Sequence, residues 1–351
     1  VTGRLFRIGL VLTLVGYLSW FGVAFARGLR PALMLSLITG QEALTDEVKK
    51  NYMGTVSGVT TLTQLGMATM VLGCLWASKN GWRDVRWAFA AIFGLAAIRS
   101  ILNSERLAVI ELAIPALLTA AALWPGRTPR MRKWIALAPV IGMVALFSFF
   151  TASESLRSWK SFYSQQQDSL LVFAATRLTG YYTTALNNGA CLEDLVPGGF
   201  GFPYYTMLFA WRLPVIKNTV RELFVPPVVD SDDGFFDFIG NSVNIEFNNP
   251  SGIFLPVVDF GIPLGMCYWL VAGAICGWIY QHYRNGSLAG LCLYPLIGTC
   301  LLEASRVLYW AESRSFPSFV WLAIAAWMMT RHQATHQTRE VWTRLHLRRA
   351  A

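Results

Sequence analysis

Apolar residues fall into eight long runs, at about 5–26, 55–77, 85–102, 106–124, 134–150, 256–281, 287–308 and 315–330. Runs of this length are read as membrane-spanning helices, because only helices or closed barrels satisfy every backbone group in lipid. The runs are continuous rather than alternating, which excludes an outer-membrane barrel. Two further apolar pieces, 31–40 and 203–215, are short and predict interfacial or re-entrant segments. The pattern therefore predicts an all-α polytopic membrane protein, a bundle of eight helices, or ten if both short pieces cross.

Cationic residues orient this bundle. Arg4 and Arg7 precede the first run, and Lys79, Arg83 and Arg86 join the second to the third. Arg127, Arg130, Arg132 and Lys133 join the fourth to the fifth, and Arg284 follows the sixth. Arg331, Arg339, Arg344, Arg348 and Arg349 lie in the tail, 331–351. Eight alternating helices put all of these on one side, so both termini are cytoplasmic. The tail, with Trp342 and Leu345 among its arginines, lies on anionic lipid or stays solvated. The whole chain reads as one integral-membrane domain whose large external loop, 151–252, forms a helical cap over the bundle. The first run is read as a span, not a cleavable signal peptide.

Composition agrees. The 351 residues are 54% hydrophobic and only 14% charged, with a mean hydropathy of +0.44; soluble domains carry about 25% charged residues. The net charge of +9 suggests no nucleic-acid partner once it is divided by side. Fifteen of the 29 Lys+Arg fall in cytoplasmic segments with two acids, Asp84 and Glu340. The external side holds the remaining 14 basic residues and 18 acidic ones. Six cysteines, five of them inside apolar runs, show no metal-ligand spacing, so neither a disulfide framework nor a zinc site is expected.

Ionisable groups near lipid are costly and point to function. At the external ends of the runs stand Arg99, Arg106, Glu111, Asp259, Glu303, Arg306 and Arg314, with Arg177 on a helix-like piece of the loop. Gathered arginines suit a phosphate or pyrophosphate, since guanidinium offers a planar fork of donors. The alternative is local pairing, of Glu105 with Arg106 or Arg99 and of Glu303 with Arg306 at i,i+3. His282, His332, His336 and His346 all map to the cytoplasmic side. An external general base is then Asp, Glu or Tyr, and Asp259 and Glu303 fit by depth, unless each is a structural, salt-bridged carboxylate. Tyr181-Tyr182 and Tyr204-Tyr205 either stack on sugar rings or anchor at the interface. The Asp230–Asp233 cluster reads as a solvated acidic turn rather than a cation site.

Three stretches carry a resemblance. They are Asn103-Ser-Glu-Arg106-Leu107, then Arg177-Leu-Thr-Gly-Tyr-Tyr-Thr-Thr-Ala-Leu-Asn-Asn-Gly189, and Phe247-Asn248-Asn-Pro-Ser-Gly-Ile-Phe-Leu-Pro-Val-Val-Asp259-Phe-Gly261. Together they resemble the oligosaccharide repeat-unit polymerases, the Wzy-type O-antigen and capsule polymerases of bacterial inner membranes. The resemblance implies a GT-C-like glycosyltransferase facing the periplasm or exterior, using neither metal nor cofactor. Its substrates would be two polyprenyl-pyrophosphate-linked oligosaccharides within the lipid. Arg106 and Arg177 match loop arginines of the family, and Asp259 matches its Asp-Phe-Gly. Arg99, Arg306, Arg314, Tyr181, Tyr182 and Asn248 are assigned to pyrophosphate or sugar. A chain-length regulator and a flippase are partners by the same analogy. A lipid-linked glycan ligase, or a transporter of lipid-linked oligosaccharide, are the competing readings. Arg106→Ala and Arg177→Ala variants that accumulate normally are expected to abolish full-length polymer in cells. Undiminished polymer on a polysaccharide gel would count against the polymerase.

Overall fold

The computed structural model describes residues 1–39, 58–103, 107–123, 129–155, 169–196, 198–213 and 249–350. It also describes 48, 51–54, 56, 159, 163–165, 216, 219 and 247. The described residues are helical, with no strand among them. In chain order the helices are α1 (Thr2–Ala26), α2 (Pro31–Thr39), α3 (Gly66–Asn80), α4 (Arg86–Asn103), α5 (Leu107–Leu123) and α6 (Pro129–Glu154). They continue with α7 (Leu170–Leu195), α8 (Leu208–Trp211), α9 (Leu255–Arg284), α10 (Leu288–Glu303) and α11 (Phe316–Ala350). Three segments are long and apolar enough to cross a membrane: Thr2–Ala26, Ala136–Glu154 and Leu255–Arg284. Leu107–Leu123 and Leu288–Glu303 are shorter apolar helices.

Helix α3 is the centre of the bundle. Its residues Gly66 to Leu75 are buried without a break, which a sequence of glycine, alanine, threonine and methionine permits because small side chains let neighbours close in. Around it pack α1, α4, α5, α10 and α11, in a core that includes Phe6, Met70, Ile92, Leu112, Leu296 and Leu322. A 3-10 turn, Thr60–Leu65, runs directly into α3. The start of any helix leaves N–H groups without partners. Here the Ala68 N–H donates to Ser318 Oγ at 3.2 Å, and that hydroxyl donates to the Gln64 carbonyl at 2.6 Å. Helix α11 is thus stitched to the entry of α3.

The two ends of the bundle are distinct. At one, Gly3 lies against the Trp76 ring, Thr2 Oγ1 donates to Met329 sulfur at 3.1 Å, and the Tyr283 hydroxyl donates to the Leu118 carbonyl at 2.6 Å. These residues belong to the ends that the charge pattern assigns to the cytoplasm. At the other end lie Arg99, Glu111, Glu303 and Arg314, and over it sits the described part of the 151–252 segment. Helices α6 and α9 stand at the periphery: only 6% of the apolar window of each is buried. Met143, Leu270, Val271 and Trp278 are each more than 60% exposed, a surface that lipid covers and water would not.

Several predicted boundaries change. The run 55–77 becomes the 3-10 turn plus a helix that starts only at Gly66, and the run 287–308 stops as a helix at Glu303. The chain after Glu303 turns back, with the Arg306 and Val307 N–H groups both donating to the Glu303 carbonyl at 2.8 Å. Of the piece 203–215, residues 203–213 are described and form a 3-10 turn, Tyr205–Met207, and the single turn α8, too short to span. The piece 31–40 is the short helix α2, whose Leu37 joins Trp20, Phe21 and Leu102 in a small core. The tail is no separate segment, since α11 continues through it. Asp230–Asp233, Arg106 and Asn248 lie outside the described residues.

Gly252 shows how closely the cap sits on the bundle. A Cβ at this position would lie 2.5 Å from backbone atoms of both Val307 and Leu308, and backbone cannot step aside as a side-chain tip can. Gly252→Ala is expected to cost roughly 1–3 kcal/mol, as overpacking does, and to lower the melting temperature of the detergent-solubilised protein by several degrees. Gly142→Ala, at a site with nothing within 4 Å, serves as the control and should melt no lower than wild type.

Candidate functional site

The cap is held by an unusual start to α9. Pro263 has no N–H to give to the Asp259 carbonyl, and Gly261 leaves the helical conformation altogether, at φ 76°. The carbonyls of Val258 and Asp259 are taken instead by the Phe200 and Phe202 N–H groups, at 2.9 and 3.2 Å. Gly199 makes this approach possible, since a Cβ there would lie 2.3 Å from the Gly261 nitrogen. The Asp259 side chain, fully buried, accepts three hydrogen bonds. Tyr205 N–H reaches Oδ1 at 3.0 Å, and the Thr206 N–H and hydroxyl both reach Oδ2 at 2.7 Å. These N–H groups open the 205–211 turns, so the carboxylate fastens the cap to the bundle through hydrogen bonds. Burial, with the neighbouring Tyr204 and Asp259, pushes the Tyr205 hydroxyl well above its usual range.

The second and third motif stretches meet at the same place. Asn188 Nδ2 donates to the carbonyls of Phe247 and Asn249, at 2.6 and 3.3 Å, and Gly189 lies against Pro250 and Ser251. Arg177 is 5% exposed. Its Nε sits 2.7 Å from Glu154 Oε2 at the end of α6, and its guanidinium lies 5.2–5.5 Å from the ring centres of Tyr163, Phe173 and Phe247. Arg177 thus pins α6, α7 and the Phe247 turn together. Tyr181 packs edge-on against Phe150 and Phe247, and Tyr204 and Tyr205 are core residues of the cap, so these three rings are engaged in packing.

Two of the other predicted arginines, Arg99 and Arg314, line a polar cavity of about 270 Å³ together with Arg212. Arg99 comes from the end of α4, Glu111 from α5, Arg212 from the residue after α8, and Glu312 and Arg314 from the turn leading into α11. Arg99 donates to Thr63 Oγ1 at 3.0 Å and lies over the Trp20 ring. Arg212 pairs with Glu312 at 3.0 Å, half exposed at the mouth. Arg314 pairs with Glu111 Oε1, and the buried Tyr309 hydroxyl donates to the same oxygen. Burial and the Glu111 charge push the Tyr309 hydroxyl up, against the pull of Arg314. Three arginines against two glutamates leave the lining one positive charge. The Gln64 side-chain oxygen adds a buried acceptor with no donor among the described residues.

Beside this cavity lies a second pair. Glu303 holds Arg306 at 3.1 Å, the i,i+3 pairing open from the sequence, and Glu303 is within electrostatic reach of Glu111. Tyr182 faces the same pair: burial and Glu303 push its hydroxyl up while Arg306 draws it down. The structure therefore brings Arg99, Arg314, Arg306, Glu303 and Tyr182 towards one end of the bundle, and sets Arg177, Tyr181 and Asp259 in the adjoining cap seam. Arg212, Glu312 and Tyr309 were missed. One signal was available for Arg212, the single charged residue in the stretch from Gly198 to Leu213. Glu111, likewise the single charge in α5, had been seen but given no role.

Set against protein-family models, curated proteins and solved structures, the chain finds no match.

Asp259→Ala would leave the Tyr205 and Thr206 N–H groups buried without acceptors, a cost of about 1–3 kcal/mol for each group left unsatisfied. The expected outcome is faster amide exchange confined to 203–211, measured by hydrogen–deuterium exchange with mass spectrometry. Unchanged protection of that segment would show that other contacts hold the cap.

Proposed function

We propose that the chain is a membrane glycosyltransferase that polymerises polyprenyl-pyrophosphate-linked oligosaccharide repeat units at the external face of a bacterial inner membrane. In this reading eight helices span, α1, α3–α6 and α9–α11, with both termini cytoplasmic and a GT-C-like arrangement over the external end. The observation that carries the reading is the gathering of Arg99, Arg212 and Arg314 around one polar cavity at that end, with Arg306 beside it.

The chemistry follows from the charges. Transfer breaks the bond between the anomeric carbon of the growing chain and its pyrophosphate, and the departing oxygens take up negative charge. Guanidinium groups already in place stabilise that charge without reorganising. Glu111 holds Arg314 and Glu312 holds Arg212 in place until an anion shares them. Arg106 and Arg177 keep the loop roles that the resemblance implies, and a carboxylate takes the proton of the acceptor hydroxyl, Asp259 and Glu303 being the sequence candidates. The products are a longer chain on one carrier and a free polyprenyl pyrophosphate.

One feature favours a carrier of lipid-linked oligosaccharide instead. Transporters use interrupted helices at their binding sites, and α9 is broken at Gly261. A single assay separates the two. Purified protein in detergent, with no gradient and no second compartment, is expected to lengthen lipid-linked oligosaccharide. Arg99→Ala and Arg314→Ala are expected to slow it about a hundredfold or more, as loss of a transition-state donor does. A folded wild-type protein that leaves its substrate unlengthened, yet moves it across vesicles, would be the carrier.

A further inference from the structure

The polymerase reading requires a group that accepts the proton of the attacking sugar hydroxyl, and the histidines cannot supply it. His282 lies in the last turn of α9 and His332 beyond Met329 on α11, at the end of the bundle opposite the cavity. Among the acids, Asp259 is fully buried and already accepts from three donors. Glu154 is fully buried against Arg177, and Glu303 is buried against Arg306. Two carboxylates line the cavity itself, Glu111 and Glu312. Glu312 stands at the mouth with the half-exposed Arg212, where water competes for it.

Glu111 differs from all of these. It is on a packed helix, 7% exposed, and lines the cavity that the arginines share. Its surroundings fix its direction: both close contacts, from the Tyr309 hydroxyl and the Arg314 guanidinium, fall on Oε1. Gln64 Oε1 offers another acceptor in the same lining.

Resting on the proposed polymerase activity, we propose that Glu111 is the catalytic base, taking the acceptor hydroxyl proton on Oε2 while Tyr309 and Arg314 hold Oε1. The acceptor O–H bond breaks and its proton passes to Glu111. The freed oxygen pair forms the new bond to the anomeric carbon, and the anomeric C–O bond breaks with its electron pair going to the pyrophosphate. Glu111 then returns the proton to solvent or to the pyrophosphate. Arg314 plays two parts, balancing Glu111 before transfer and meeting the leaving group during it. Tyr309 is a positioning residue.

The test uses the full chain in detergent, with lipid-linked oligosaccharide as substrate and inorganic pyrophosphate as the binding probe. Glu111→Gln is expected to keep pyrophosphate binding within about threefold of wild type. It should lose lengthening by about 10²–10⁴-fold, the range for general base catalysis, and Glu111→Asp should restore part of it. Tyr309→Phe removes the hydroxyl that holds Oε1, so kcat for lengthening is expected to fall about tenfold with KM within about twofold of wild type, the pattern of a contact that matters in the transition state. Full activity in a folded Glu111→Gln protein would overturn the assignment while leaving the polymerase standing. A wild-type protein inactive in lengthening overturns both. If Glu111→Gln fails to fold, Tyr309→Phe decides, and an unchanged kcat in that folded variant counts against Glu111.

Discussion

Ionised side chains at the cavity end of this bundle are held by opposite charges, hydroxyls or aromatic rings, because an apolar surround makes an isolated charge too costly to keep. The pairing of Glu111 with Arg314, reinforced by the Tyr309 hydroxyl, is where this constraint acts most strongly. It joins α5 to the turn between α10 and α11, and therefore determines where α11 begins. Removing one member of such a buried pair costs about 3–5 kcal/mol, since the survivor remains buried and uncompensated. The same pairing orients Arg314 in a cavity whose described lining carries one positive charge in excess.

The cap obeys a related rule, stated in hydrogen bonds rather than charges. Breaking α9 at Gly261, with Pro263 just beyond it, exposes two carbonyls and aims Asp259 at the cap. A single short stretch of the large loop then supplies what is missing. Phe200 and Phe202 give their N–H groups to the carbonyls, and Tyr205 and Thr206 give theirs to the carboxylate. Glycines at 199 and 252 allow backbone to approach backbone where any side chain would intervene. A helix break that would weaken an isolated span here becomes the attachment of the cap.

The two motif-bearing stretches in the described part of the cap serve this attachment as much as any ligand. Arg177 is committed to Glu154 and three aromatic rings, and Asn188 to the carbonyls of the Phe247 turn. Next to that rigid seam, the arginines of the cavity are only partly committed. Arg314 keeps about a quarter of its side chain exposed and Arg212 nearly half. Rigid support beside shareable charge is the arrangement that a preorganised anion site needs.

Much of the architecture was legible in one dimension. Apolar run length located the helices, and the side on which cations accumulate correctly grouped Gly3, Trp76, Tyr283 and Met329 at one end. The i,i+3 spacing was enough to foresee Glu303 with Arg306. Helix ends were less legible: the halt of α10 at Glu303 and the late start of α3 at Gly66 depend on turns that hydropathy does not register. The same limit separated Arg99 and Arg314, recognised by depth, from Arg212, whose position depends on where a fifteen-residue piece of cap comes to rest. Run length and charge bias are properties of neighbouring residues, so sequence alone determined the helical class and the set of suspect charges. Which carboxylate faces which arginine is settled by residues up to about two hundred positions apart, Glu111 and Tyr309 among them. Only the packed structure, in which buried charges and backbone groups must all be satisfied together, could decide it.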